Sequence, residues 1–101
     1  MKQTVFTRQT SSVGEHLQDF MSEMGLKAPT LAKRLHVGRS RLQRLLEGAR
    51  CDADMALRLA RFFGTTPQYW MNLQALRDLS AAQVEAGDTI QRDIVPFDTA
   101  A

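Results

Sequence analysis

The sequence predicts an all-α protein of five helices, and two observations carry that reading. Apolar residues recur at three- and four-residue spacing through most of the chain. Glycines 25, 48 and 64 each follow such a run, whereas Pro29 and Pro67 stand where runs begin. The short stretch Thr89–Phe97 alone leaves strand and helix equally open.

The elements follow in order. Ser12-Val13-Gly14-Glu15 has the spacing of a capping box, in which Ser12 and Glu15 each accept from the other's backbone. Leu17, Phe20, Met21 and Met24 continue helix one, and Gly25 stops it. Pro29 opens a short second helix with Leu31, Ala32 and Leu35, ending near His36. Val37-Gly38 form a tight connection to a third helix, Arg39 to Glu47, closed by Gly48. Asp52 caps a fourth helix bearing Met55, Ala56, Leu59, Ala60 and Phe63, which Gly64 ends. Thr66-Pro67 open a fifth, which continues to about Ala86. Gly87-Asp88 signals a turn. The tail after it reads as an edge strand or a short helical turn. The organisation expected is a mobile N-terminus (1–11), one domain (12–86) with a dimerising last helix, and a tail (87–101).

A chain of 101 residues, 44% hydrophobic, is sized for one modest core. It has no apolar stretch long enough for a bilayer, and Met1-Lys2-Gln3-Thr4 does not lead into a signal-peptide core. Cys51, the single cysteine, has no internal disulfide partner. A cytoplasmic protein is expected, without membrane association. Charge is unevenly placed. Six basic residues (Lys33, Arg34, Arg39, Arg41, Arg44 and Arg50) face one acid, Glu47. From Arg77 onward Asp78, Glu85, Asp88, Asp93 and Asp98 outnumber the bases. The first segment suits a polyanion.

Two short helices joined by a brief turn, the second rich in arginine, fit a helix-turn-helix. Small Ala32 allows close approach, Val37 plugs the turn, and Leu42 and Leu45 anchor the third helix from inside. On a wheel of about 100° per residue, Ser40, Gln43, Arg44 and Glu47 lie opposite these leucines, with Arg39 and Arg41 flanking. Such a helix in the major groove offers its outer face and N-terminal end to bases. Arg39, Ser40, Gln43 and Arg44 are the expected base readers. Lys27 and Lys33, at or near the start of helix two, and Arg41 are expected on phosphate.

Leu31-Ala32-Lys33-Arg34-Leu35-His36-Val37-Gly38-Arg39-Ser40-Arg41-Leu42 resembles the helix-turn-helix core of lambda-repressor-like, Xre-family regulators. The run from Asp54 to Gln74, containing Leu57-Arg58-Leu59-Ala60-Arg61, Phe63-Gly64-Thr65 and Trp70-Met71-Asn72-Leu73-Gln74, is similar to HigA-type antitoxins. Gly14-Glu15 with Leu17 matches their opening helix. The resemblance implies a dimeric antitoxin that neutralises a HigB-type ribonuclease, which cleaves messenger RNA on the ribosome. It also implies repression of the shared operon. No constellation of residues in the sequence resembles an enzyme site, and no cofactor is expected. Two features depart from the pattern. Ser12-Val13 replaces the usual His-Pro, and Lys27 stands where Ser or Thr is common. A stand-alone Xre-family regulator is the alternative. An antitoxin that has lost DNA affinity is a third reading, and the arginines of helix three argue against it.

The remaining residues read as structural. Cys51 lacks partners for nucleophilic catalysis, His16 and His36 lack partners at metal-ligand spacing, and Tyr69 and Trp70 read as packing. Met21, Met24, Met55 and Met71 read as core filler. On helix five, Tyr69, Leu73 and Leu76 form the expected core face. Met71, Ala75, Leu79 and Ala82 form a second apolar face, free for a homodimer partner. Gln74, Arg77 and Asp78 separate the two faces on one side. Paired half-sites would then lie about 34 Å apart or a multiple of it. The chain also lacks a long polar tail that would fold only on binding toxin.

Overall fold

The computed structural model describes residues 6–97. They form α1 (Val13–Met24), α2 (Ala28–Leu35), α3 (Arg39–Leu46), α4 (Ala53–Phe63) and α5 (Pro67–Asp93), and no strand occurs among the described residues. The all-α, five-helix expectation is met.

Local chemistry sets most of the boundaries. The capping box is present: the Glu15 N–H donates to Ser12 Oγ at 3.2 Å and the Ser12 N–H to Glu15 Oε1 at 3.4 Å. Gly25 and Gly64 take left-handed conformations that end α1 and α4. Asp52 accepts from the Met55 N–H at 2.8 Å, and Thr66 from the Tyr69 N–H at 3.2 Å. At the end of α2 the left-handed position falls on His36, with φ +58°, rather than on a glycine. Its N–H donates to the Lys33 carbonyl at 3.2 Å, and the Val37 N–H to Ala32 at 3.0 Å.

The core runs through all five helices. Val13, Leu17, Leu31, Leu35, Leu42, Leu45, Met55, Leu59 and Trp70 are buried together, with Cys51 in the α3–α4 loop. Trp70 also stacks among Phe20, Phe63 and Tyr69, with ring centroids 5.1–5.9 Å from its own. Its indole N–H donates to Thr65 Oγ1 at 2.8 Å. Met24, expected as core filler, is 54% exposed beside the helix-ending Gly25. α1 crosses α3 so closely that a Cβ on Gly14 would stand 2.0 Å from the Leu45 carbonyl oxygen. That close approach fixes glycine at position 14.

Helix five departs most from expectation. It continues through Gly87 to Asp93, where a turn and then a strand or short helical turn were expected. One glycine costs a helix about 1 kcal/mol, and the run from Ser80 to Ala86 favours helix strongly enough to carry it. The Gln83 side chain lies over Gly87. The helix ends only at Ile94, two residues before Pro96. Residues 98–101 of the expected tail lie outside the described residues, as do residues 1–5 of the expected mobile N-terminus.

The side of α5 facing the body also differs. Trp70, Gln74 and Ser80 are buried, whereas Leu76 is 45% exposed. Gln74 accepts from the Cys51 N–H at 2.8 Å. The Thr10 N–H donates to Ser80 Oγ at 2.8 Å, and the Arg77 guanidinium donates to the Thr10 carbonyl. Residue 10 is thereby tied to α5, although the sequence places it in a mobile segment. Met71 is half-buried against the core rather than on the free face. Beyond the body α5 runs on as an arm, giving dimensions of 58 × 22 × 22 Å.

Candidate nucleic-acid interface

The core leucines of α3 determine which of its residues face outward. Leu42 and Leu45 are buried, so Arg39, Ser40, Gln43, Arg44 and Glu47 are exposed on the other side. All four expected base readers therefore share one surface. Gln43 Nε2 donates to Glu47 Oε2 at 3.0 Å, one turn along. Arg39 and Arg44 form no ion pair among the described residues.

The N-terminal end of α2 adjoins this surface. Ala28, Pro29, Arg39, Ser40 and Gln43 line one shallow groove of about 330 Å³. Lys27 is the N-cap of α2 and makes no side-chain capping bond. The first-turn N–H groups therefore have no side-chain cap, which favours an anion there. Lys33 is exposed in the last turn of α2, not near its start as the sequence suggests. It stands four residues from Pro29, on the same side of the helix.

Arg41 does not join this group. Its Nη2 donates to Asp54 Oδ2 at 2.8 Å and to Asp52 Oδ1 at 3.2 Å, turning the guanidinium toward α4. Its pKa is raised, first by the hydrogen bond to Asp54. Asp54 also accepts from Arg58 Nε at 2.8 Å, and bonds from Arg58 and Arg41 hold its carboxyl below the usual carboxylate range.

Sequence reasoning misses three residues that position this surface. Gln74 and Asp78 read as separators on α5, yet both secure the α3–α4 loop. Gln74 bonds to the Cys51 backbone, and Asp78 pairs with Arg50. Arg58, part of a family motif in the sequence, donates Nη1 to the Leu35 carbonyl at 2.9 Å and to the His36 carbonyl at 3.2 Å. No local signal marks these bonds, because their partners lie 22 to 28 residues away. Burial pushes the Cys51 thiol up to about 11, so it is not a nucleophile at neutral pH.

Residues 12–68 match a helix-turn-helix domain family. Over 71% of this chain and 70% of the relative, the sequence is 37% identical to antitoxin HigA-1 of Vibrio cholerae. The chain belongs to the HigA family of helix-turn-helix proteins. It is also 43% identical, over 65% of its length, to virulence-associated protein I of Dichelobacter nodosus, and spans 62% of that relative. Among solved structures, Pseudomonas aeruginosa antitoxin HigA with the higBA promoter superposes with a TM-score of 0.82. That match has 35% identity and covers 86% of this chain and 97% of the other. The five helices are thus the HigA fold, and α2–α3 are its helix-turn-helix. No helix among the described residues is long and apolar enough to cross a membrane.

Proposed function

We propose that this HigA-family chain is a cytoplasmic, non-enzymatic antitoxin that binds operator DNA as a homodimer, represses its own operon and neutralises a HigB-type ribonuclease acting on ribosome-bound messenger RNA. The observation that carries the DNA reading is the outward face of α3. Arg39, Ser40, Gln43 and Arg44 are exposed together beside the uncapped start of α2. A helix with that face enters the major groove, where arginine forks match guanine O6 and N7. Lys27 and Lys33, on the exposed side of α2, hold the flanking phosphates. The relative solved with promoter DNA supports the reading.

The dimer reading rests on α5. Leu76, Leu79, Gln83, Ala86 and Ile90 recur at alternating spacings of three and four on its outer side. Leu76, Leu79 and Ile90 are 45, 61 and 50% exposed. Ala75 and Ala82 border this stripe and are not buried in the body. The proposed interface keeps Ala75, Leu79 and Ala82, and replaces Met71 by Leu76.

Binding titrations on operator and scrambled duplex at several salt concentrations test the DNA reading. Arg44→Ala should lose about 1–3 kcal/mol of preference for operator. Lys33→Ala should weaken both duplexes alike and flatten the salt slope by roughly one. An unchanged specificity ratio in Arg44→Ala would remove α3 from the groove. Co-expression with the neighbouring ribonuclease gene tests the antitoxin reading. Absence of rescue leaves the stand-alone regulator.

A further inference from the structure

We infer that Asp54 and Arg58 of α4 set the orientation of the recognition helix by gripping both helices of the motif, and that Arg41 belongs to this grip rather than to the phosphate-binding groups. The inference rests on the DNA-binding reading above and assigns to these residues a positioning role within it.

The bonds form one connected path. Arg58 Nη1 reaches the Leu35 and His36 carbonyls, at 2.9 and 3.2 Å. These lie at the C-terminal end of α2, where carbonyls lack helical partners and the helix dipole favours a cation. His36 holds a left-handed backbone that only a minority of non-glycine residues adopt. A bond to its carbonyl therefore restrains the turn that sets the angle between α2 and α3. The same guanidinium, through Nε, meets Asp54 Oδ2 at 2.8 Å. That oxygen also accepts from Arg41 of α3 at 2.8 Å. Arg41 reaches on to Asp52, whose Oδ1 is already the N-cap acceptor of α4. The first turn of α4 thus holds the end of α2 with one arginine and the side of α3 with another.

Charge and exposure separate this role from two others. Two arginines and two aspartates sum to zero, so Arg41 carries no local excess charge to neutralise phosphate. The side chains are 35 to 67% exposed. Pairs that exposed contribute little to stability, and the network acts chiefly through geometry. The base-reading groups of α3 need that geometry, because a bidentate arginine bond to a base tolerates little rotation of its helix.

The test measures the salt dependence of binding to operator and to scrambled duplex for the full chain and four variants. The slope of log affinity against log salt changes by about 0.9 for each phosphate that the protein neutralises. Arg41→Gln should keep the wild-type slope while the operator-to-scrambled ratio falls by up to roughly fivefold, the upper end of what an exposed ion pair is worth. Asp54→Asn should lower the ratio similarly and steepen the slope by up to about one, because Arg41 then keeps only its longer bond to Asp52 and is freed in part toward the backbone. Combining the two should return the slope to wild type without restoring the ratio. Arg58→Lys keeps the charge but cannot fork to Asp54 and two carbonyls. It should lower the ratio at an unchanged slope, and it serves should Asp54→Asn fold poorly by circular dichroism. A slope flattened by about 0.9 in Arg41→Gln makes Arg41 a phosphate ligand and overturns the inference. Wild-type ratios in both Arg41→Gln and Arg58→Lys overturn it too. Wild-type protein without operator preference overturns the DNA reading itself, a result distinguishable from either.

Discussion

Gly14 shows how one residue fixes the site from outside it. Its missing side chain lets α1 rest on the α3 backbone at Leu45, on the buried side of the helix whose other face carries Arg44. Gly14→Ala should cost about 1–3 kcal/mol by overpacking. Because Leu45 or α1 must yield, operator affinity should fall more than a loss of folded protein explains. Thermal melts and binding measured on the same sample separate the two effects. Cys51 gives a second test at this scale. Its thiol is held neutral by burial, with a pKa raised from 9.0 to about 11. A folded pKa above the unfolded one means that this contribution is complete below about pH 9 and is lost as pH rises toward 11. Denaturant titrations should show that decline, on the order of 2 kcal/mol, and Cys51→Ala should flatten it.

At the scale of the element, α5 has two unlike sides. The inner side is laced with polar residues that hold the body: Gln74 and Asp78 grip the α3–α4 loop, while Arg77 and Ser80 hold Thr10. The outer side carries Leu76, Leu79 and Ile90 in the open. Leu79 makes little contribution to the monomer core, so Leu79→Glu should leave monomer stability nearly unchanged. It should weaken self-association by roughly tenfold or more, the scale of losing one central apolar side chain from an interface. Sedimentation equilibrium across a concentration series measures this, and an unchanged dimer would place the partner elsewhere.

At the scale of the molecule, the described chain is a compact body with an arm. A 27-residue helix is about 40 Å long, and its distal half extends past the core. Helical segments shorter than about 12–15 residues are marginal in water without packing, so the distal half should gain its stability from a second copy. Amide exchange from about 81 to 93 should therefore slow as protein concentration rises through the dimer constant, while α1–α4 keep their protection throughout. Fast, concentration-independent exchange in the arm would contradict the proposed dimer face.

What the sequence alone determined was local. Ser12 with Glu15, Asp52, Thr66-Pro67, Gly25 and Gly64 act within a few residues of themselves, so the caps of α1, α4 and α5 were readable in one dimension. Leu42 and Leu45 define the inside of α3, and its outside follows from helical periodicity alone. That is why Arg39, Ser40, Gln43 and Arg44 could be named together. Tertiary structure decided what depends on distant partners. Arg41 looks unpaired in the sequence until Asp52 and Asp54 fold beside it and accept from its guanidinium. Gln74 reads as a separator between two apolar faces, and Ser80 carries no signal of its own, until the Cys51 and Thr10 N–H groups donate to them. Leu76, apolar and correctly spaced for the core, stays exposed because those polar residues and Trp70 occupy the inner side of α5. Periodicity identifies the sides of a helix, but only the groups packed against each side determine which one is buried.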